Sequence, residues 1–111
     1  MITAIVLFDL PAGTTRAKLL DLCRECARGM RANPFLVRKN YLYDPERGQG
    51  GGVYTWRDRA AAEHCLGPAF RAGVEERFGT KPRILFFETP VVVDNLLGQI
   101  MVTEAEPALT R

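Results

Sequence analysis

Runs of apolar residues, punctuated by proline, glycine and acidic turn formers, divide the chain into alternating strand and helix segments. In Thr3 to Leu10 both alternating sets are largely apolar, Ala4, Val6, Phe8 and Leu10 on one side and Ile5 and Leu7 on the other. A strand of this kind is expected to be covered on both faces. Leu10-Pro11-Ala12-Gly13-Thr14 reads as a turn, with Thr14 or Thr15 placed to cap the next helix. From Thr15 to about Ala32, Leu19, Leu22, Cys23, Cys26 and Met30 recur at helical spacing, with Lys18, Asp21, Arg24, Glu25, Arg28 and Arg31 on the other side. Asn33-Pro34 ends that helix, because the residue before proline is pushed out of the helical region.

Leu36 to Tyr43 reads as a second strand, interrupted by Arg38, Lys39 and Asn40. The turn formers of Asp44 to Gly50 make a hairpin connection, and Gly51 to Trp56 returns as the third strand. Asp58 offers a cap to a short helix over Arg59 to Leu66. Gly67-Pro68 breaks it, and a second helical piece carries Phe70, Val74 and Phe78 up to Gly79. Arg83 to Val93 reads as the last strand, apolar on both sides through Ile84, Leu85, Phe86 and Phe87. After Asp94 comes a short amphipathic turn with Leu96, Leu97, Ile100 and Met101, and a tail from Thr103 that is expected to fray.

The order is β-α-β-β-α-β, an α+β class fold of the ferredoxin-like kind: an antiparallel sheet with its helices on one face. Residues 1–93 form that domain and 94–111 an extension. One helix layer covers one sheet face only, so the apolar second face of the first and last strands asks for a cover. A second copy of the chain is the simplest one, which makes a homodimer the expectation.

Composition narrows the class without naming it. The chain has 111 residues, 47% hydrophobic and 25% charged, which is ordinary for one globular domain. Its 15 Lys and Arg against 13 Asp and Glu leave a formal charge of +2, so no nucleic-acid partner is demanded. Three cysteines are a poor disulfide scaffold and fit a reducing compartment. Asp9 and Pro11 interrupt the apolar N-terminus before signal-peptide length, and no run reaches the roughly 18 apolar residues of a membrane helix. The expected address is cytoplasmic, with no membrane association.

Lys39-Asn40-Tyr41 and, after an acidic turn, Gly51-Gly52-Val53-Tyr54 resemble the small monooxygenases of the YdhR type. These belong to the dimeric α+β barrel superfamily that includes the antibiotic-biosynthesis monooxygenases. Members show Lys-x-aromatic in strand two and Gly-Gly-aliphatic-Tyr opening strand three. Phe86-Phe87-Glu88 and Asp94 to Ile100 are similar in character to the family's C-terminal part. Tyr41 stands where the family often has tryptophan. The resemblance covers most of the chain from Phe35 onward, and it implies two ferredoxin-like chains forming one barrel. It also implies an oxygenation that uses no metal or organic cofactor.

Candidate chemistry follows the aromatic residues. Tyr54 and Trp56 share one face of strand three, Lys39, Tyr41 and Tyr43 one face of strand two, and Arg83 opens strand four. Aromatics with one or two cations suit an enclosed pocket for a flat, acidic, phenol- or quinone-like molecule. Lys39 or Arg83 would stabilise its anion, Trp56 and Tyr54 would stack on its rings, and Asp9 at the end of strand one is a candidate base. Packing in the core or at a dimer interface explains the same aromatics. His64, the only histidine, sits where haem-degrading relatives hold iron, although its neighbours Arg59, Ala60 and Glu63 read as a solvated helix edge.

The remaining motifs have structural explanations. Cys23-x-x-Cys26 lies mid-helix on the apolar stripe, where a cysteine is expected to be buried and inert. Zinc held by Cys23, Cys26, His64 and Cys65 is disfavoured because adjacent helical residues diverge by about 100°. Gly48 and Gly50-Gly51-Gly52 join two strands, as a hairpin with a bulge does. Three functions compete: an oxygenase acting on a small aromatic, a non-catalytic dimeric ligand binder of the same fold, and an RNA-binding module. The last lacks a basic sheet face and a strand-one aromatic beyond Phe8.

Overall fold

The structure is a computed structural model and describes residues 1–106. Its main sheet contains β1 (Ile2–Asp9), β2 (Leu36–Asp44), β3 (Gln49–Trp56) and β4 (Arg83–Glu88) in the order β2-β3-β1-β4. All neighbours are antiparallel. Helix α1 (Arg16–Ala32) connects β1 to β2, and α2 (Arg59–Cys65) and α3 (Pro68–Phe78) connect β3 to β4. This is the expected ferredoxin-like α+β arrangement, with the helix pair broken at Gly67.

Local chemistry sets the helix ends. Thr15 Oγ1 accepts from the Lys18 backbone N–H at 3.2 Å, and Asp58 Oδ1 accepts from that of Ala61 at 2.8 Å. Pro68 sits in the first turn of α3, and Gly79 closes that helix at φ +74°.

The sheet register sorts residues onto two faces. Ile2, Ala4, Val6 and Phe8 of β1 lie beside Trp56, Tyr54, Gly52 and Gly50 of β3, and Ala4 and Val6 beside Phe86 and Ile84 of β4. This face packs against the helices: Ile2, Ala4, Val6, Tyr54 and Trp56 are buried together with Ala62 and Leu66 at α2. The opposite face carries Ile5, Leu7, Val53, Leu85 and Phe87, and Phe87 is 50% exposed. The two-sided apolar character of β1 and β4 therefore has one side in the core and one half-buried, with Phe87 exposed.

Three details of the β2–β3 hairpin differ from the sequence expectation. The Gly50-Gly51-Gly52 run lies within β3, not in the turn. Gly51 has φ +155°, and a Cβ there would collide with the Val6 carbonyl oxygen, so strand β1 itself requires glycine. The turn is Asp44 to Gly48, where Asp44 Oδ1 accepts from the N–H groups of Glu46 and Arg47 and Gly48 takes φ +62°. The bulge is in β2, between Leu36 and Arg38.

The expected last strand is broken at Thr89-Pro90, where proline removes a ladder donor. Beyond the break lies a hairpin of β5 (Val91–Asp94) and β6 (Gln99–Val102), in place of an amphipathic turn. Its turn repeats the first: Asp94 Oδ1 accepts from Leu96 and Leu97, and Gly98 takes φ +66°. Asp94 also pairs with Arg38 on the open sheet face at 3.1 Å. Part of the expected frayed tail is held: Thr103 N–H donates to Pro90 O and Glu106 N–H to Glu88 Oε1, both at 3.0 Å. Positions 107–111 of that tail lie outside the described residues.

Candidate functional site

The bulge in β2 determines which side chains meet. With simple alternation from the Leu36–Trp56 pair, Arg38 would stand opposite Tyr54. The extra residue shifts the register by one, so Arg38 pairs with Thr55 and Lys39 with Tyr54. Lys39, Tyr41 and Tyr43 thus face the helices, and Arg38 and Asn40 face away.

Lys39 Nζ lies 3.9 Å from the centroid of the Tyr41 ring and 4.4 Å from that of Tyr54. Both contacts are close enough for cation–π attraction. Behind it, Tyr54 stacks on Trp56 with centroids 5.7 Å apart and planes within 7°, and Phe70 of α3 meets Tyr54 edge-on at 6.4 Å. From above, α1 lowers Cys26, whose Sγ is 3.9 Å from Lys39 Nζ. Lys39 forms no ion pair with a carboxylate among the described residues.

The electrostatics follow from burial. Desolvation lowers the pKa of Lys39 from the usual lysine value, with the Cys26 and Cys23 sulfurs opposing it only in part. Burial also raises Tyr54 and Tyr41 well above the ordinary phenol range. Cys23 is raised by burial, with the Lys39 charge opposing. The Tyr41 hydroxyl and Trp56 Nε1 are buried without a hydrogen-bond partner among the described residues. Buried polar atoms are seldom left so.

Space lies along the seam between α1 and β2. A groove of about 280 Å³ is lined by Leu20, Cys23, Tyr41 and Tyr43, with Arg16 and Arg24 at its rim. A second, of about 370 Å³, lies against Lys39 and Tyr41 with Met30, Arg31 and Arg38. Inside, a cavity of about 70 Å³ touches Cys23, Cys26, Lys39, Tyr41, Tyr54 and Phe70. The site is cationic and aromatic, its interior groups being one amine, two phenols and two thiols. Such a set can hold a flat anion, and the amine can accept a proton.

The structure brings together Lys39, Tyr41 and Tyr54 from the sequence-predicted set. Trp56 does not line this cavity; at the end of β3 it is fully buried with Ala62 and Leu66 and acts as the floor under Tyr54. Asp9 is exposed at the end of β1, beside Gln49 at 3.4 Å, and Arg83 pairs with Leu7 on the opposite sheet face. His64 is exposed on α2. These three stand apart from Lys39.

Cys26 is half-buried beside Lys39, and Cys65 lies apart, accepting from Asn33 Nδ2 at 3.6 Å. Sequence reasoning missed the Cys26–Lys39 pairing and the Phe70 contact. Helical periodicity put both residues on inward faces, and it was the register of β2 that remained to be known.

No protein-family model and no curated protein matches the sequence. The fold, however, matches solved structures. A protein assigned as an antibiotic biosynthesis monooxygenase from Deinococcus radiodurans superposes with a TM-score of 0.65 at 14% identity, over 85% of this chain and 97% of that one. SnoaB, a cofactor-independent oxygenase from Streptomyces nogalater, gives 0.59 at 17% identity over 79% and 91%. The ActVA-Orf6 monooxygenase of Streptomyces coelicolor, in complex with nanaomycin D, gives 0.61 at 17% over 83% and 89%. The chain shares the fold of these three proteins. None of its described helices is long and apolar enough to cross a membrane.

Proposed function

We propose that this chain is a monooxygenase-like protein that binds a small acidic aromatic of the phenol or quinone type and oxygenates it without a cofactor. The observation that carries this reading is Lys39, a half-buried cation enclosed by two tyrosine rings and paired with no carboxylate among the described residues. A ligand oxygen that ionises supplies the missing counter-charge. The rings of Tyr41 and Tyr54 supply flat apolar walls, and the grooves on either side of Tyr41 are close to the size of a small ligand site.

The chemistry needs little from the protein. A substrate carbon–hydrogen or oxygen–hydrogen bond beside the aromatic system gives its proton to the unprotonated form of Lys39, whose share burial increases, and the resulting ammonium holds the anion. The anion passes one electron to dioxygen, the substrate radical and superoxide combine into a peroxide anion, and the Lys39 ammonium returns the proton to give the hydroperoxide. Where the attacked carbon was a CH₂ group, loss of water leaves a carbonyl. One oxygen atom enters the product, and the other leaves with the two hydrogens. The protein provides position, a dry wall and one charge.

Two further elements belong to the proposal. A second copy of the chain covers the sheet face of Ile5, Leu7, Val53, Leu85 and Phe87, completing a dimeric barrel, and the exposed Leu96, Leu97 and Ile100 of the β5–β6 hairpin extend that contact. The free thiols suit a reducing, cytoplasmic setting.

One observation favours a second reading, a non-catalytic ligand binder: Asp9 and His64 both stand away from Lys39, leaving the amine itself as the only ready base among the described residues. Oxygen-electrode measurements with anthrone- and hydroquinone-type compounds separate the two. Oxygen uptake that depends on protein and is lost in Lys39→Met supports oxygenation. Saturable binding with uptake no faster than in buffer overturns it in favour of the binder.

A further inference from the structure

Cys26 and Lys39 reach each other across the α1–β2 seam, sulfur to nitrogen 3.9 Å, and the proposed oxygenation makes no use of the thiol. The cavity beside them, about 70 Å³, has room for roughly two water molecules. It is too small for an aromatic ring and large enough for dioxygen. The amine has no carboxylate partner among the described residues to hold it away, and its four-carbon stem is flexible. The thiol belongs to a rigid helix interior and is free. A single oxygen atom between the two would close the gap after a small rotation of the lysine side chain.

We propose that Cys26 and Lys39 form an oxidation-dependent covalent link, an N–O–S bridge between Nζ and Sγ, with dioxygen as the oxidant. The neutral amine and the thiol each give up one hydrogen. One atom of dioxygen becomes the bridge, and the other leaves as water with those two hydrogens. Nitrogen and sulfur are each oxidised by two electrons, and these four electrons reduce the two oxygen atoms. A neighbouring thiol, Cys23, lies on the same helix, so a Cys23–Cys26 disulfide would leave β2 untouched. The N–O–S link instead staples α1 to β2 and removes the positive charge from between Tyr41 and Tyr54. The site would then lose its cation under oxidation and regain it when a thiol reductant cleaves the bridge.

The bridge does not depend on the oxygenase reading, and its test reads mass, not turnover. The full chain is incubated in oxygen-saturated buffer, denatured with free thiols blocked, digested and mapped by mass spectrometry. The expected product is a peptide from α1 joined to one from β2, heavier than their sum by one oxygen atom less two hydrogens. It should disappear with dithiothreitol, be absent from Cys26→Ser and Lys39→Arg, and persist in Cys23→Ser. A Cys23–Cys26 disulfide, a Cys26 oxidised with Lys39 unmodified, or two unmodified residues after prolonged exposure would each overturn the proposal.

Discussion

Lys39 and Tyr54 are direct cross-strand partners, and the lysine ammonium folds back over the tyrosine ring at 4.4 Å from its centroid. The pairing exists because a bulge between Leu36 and Arg38 adds one residue to β2. Delete that residue, and the alternation would aim Arg38 at Tyr54 and turn Lys39 to the open face. A single insertion therefore decides which cation the interior receives.

Lys39 should make stability depend on pH in a defined direction. Folding lowers its pKa, so the unfolded chain holds the proton more tightly. Below the folded pKa the buried charge costs stability, and that cost is relieved as pH rises toward the unfolded value of about 10.4. Two cation–π contacts offset part of it. Lys39→Met should therefore match or exceed the parent at pH about 7, by up to about 1 kcal/mol. Urea denaturation should show that advantage shrinking as pH rises. An advantage that grows with pH would have the wrong sign.

The tyrosines predict the opposite limb. Burial holds Tyr41 and Tyr54 protonated in the fold well above the free phenol value of about 10. Their contribution is complete below that value and is lost as pH rises past it, since the unfolded chain ionises first. Tyrosinate absorbance from these two should appear together with loss of helical circular dichroism. Its appearance in single-tyrosine variants while the fold stays intact would contradict their burial.

Two glycines should respond oppositely to alanine. At Gly51 the added Cβ meets the Val6 backbone oxygen in a conformation that side chains avoid, so Gly51→Ala should cost more than about 2 kcal/mol. At Gly73, within α3 with nothing nearby, alanine should stabilise by about 0.5–1 kcal/mol. Chemical denaturation of both checks the register of β1 against β3. Equal effects would mean that the two strands do not approach as described.

The open sheet face predicts association. Phe87 stands half-exposed there beside Leu85 and Thr3. Sedimentation equilibrium should give a dimer for the parent and a weakened one for Phe87→Glu, with circular dichroism unchanged. A parent that stays monomeric at high concentration would remove the barrel from the account.

Much of this architecture was legible in the chain. Both apolar sets of β1, the helical spacing from Leu19 to Met30, and Asn33-Pro34 and Gly67-Pro68 as breaks all lead to the observed order of elements. The hairpin at the end was not legible, because Asp94-Asn95-Leu96-Leu97-Gly98-Gln99 puts leucines where the matching Asp44 to Gln49 turn has glutamate and arginine. Apolar residues in a turn mimic a helix face. The site was half legible for a similar reason. Alternation from Leu36 to Tyr43 groups Lys39 with Tyr41 and Tyr43, yet which partner strand residue each meets depends on the bulge. Asp9, His64 and Arg83 have suitable chemistry, but the sheet register and the exposed side of α2 carry them away from Lys39.

The central claim is that Lys39 holds an ionised aromatic. It is tested most directly by calorimetric titration of a naphthol-type hydroxyquinone and its methyl ether, which cannot ionise. The parent compound should bind the wild-type chain at least about tenfold, or ~1.4 kcal/mol, more tightly than the ether. Lys39→Met should erase that difference while the variant remains folded. Equal affinities for phenol and ether in the wild type, unchanged in the variant, would contradict the claim.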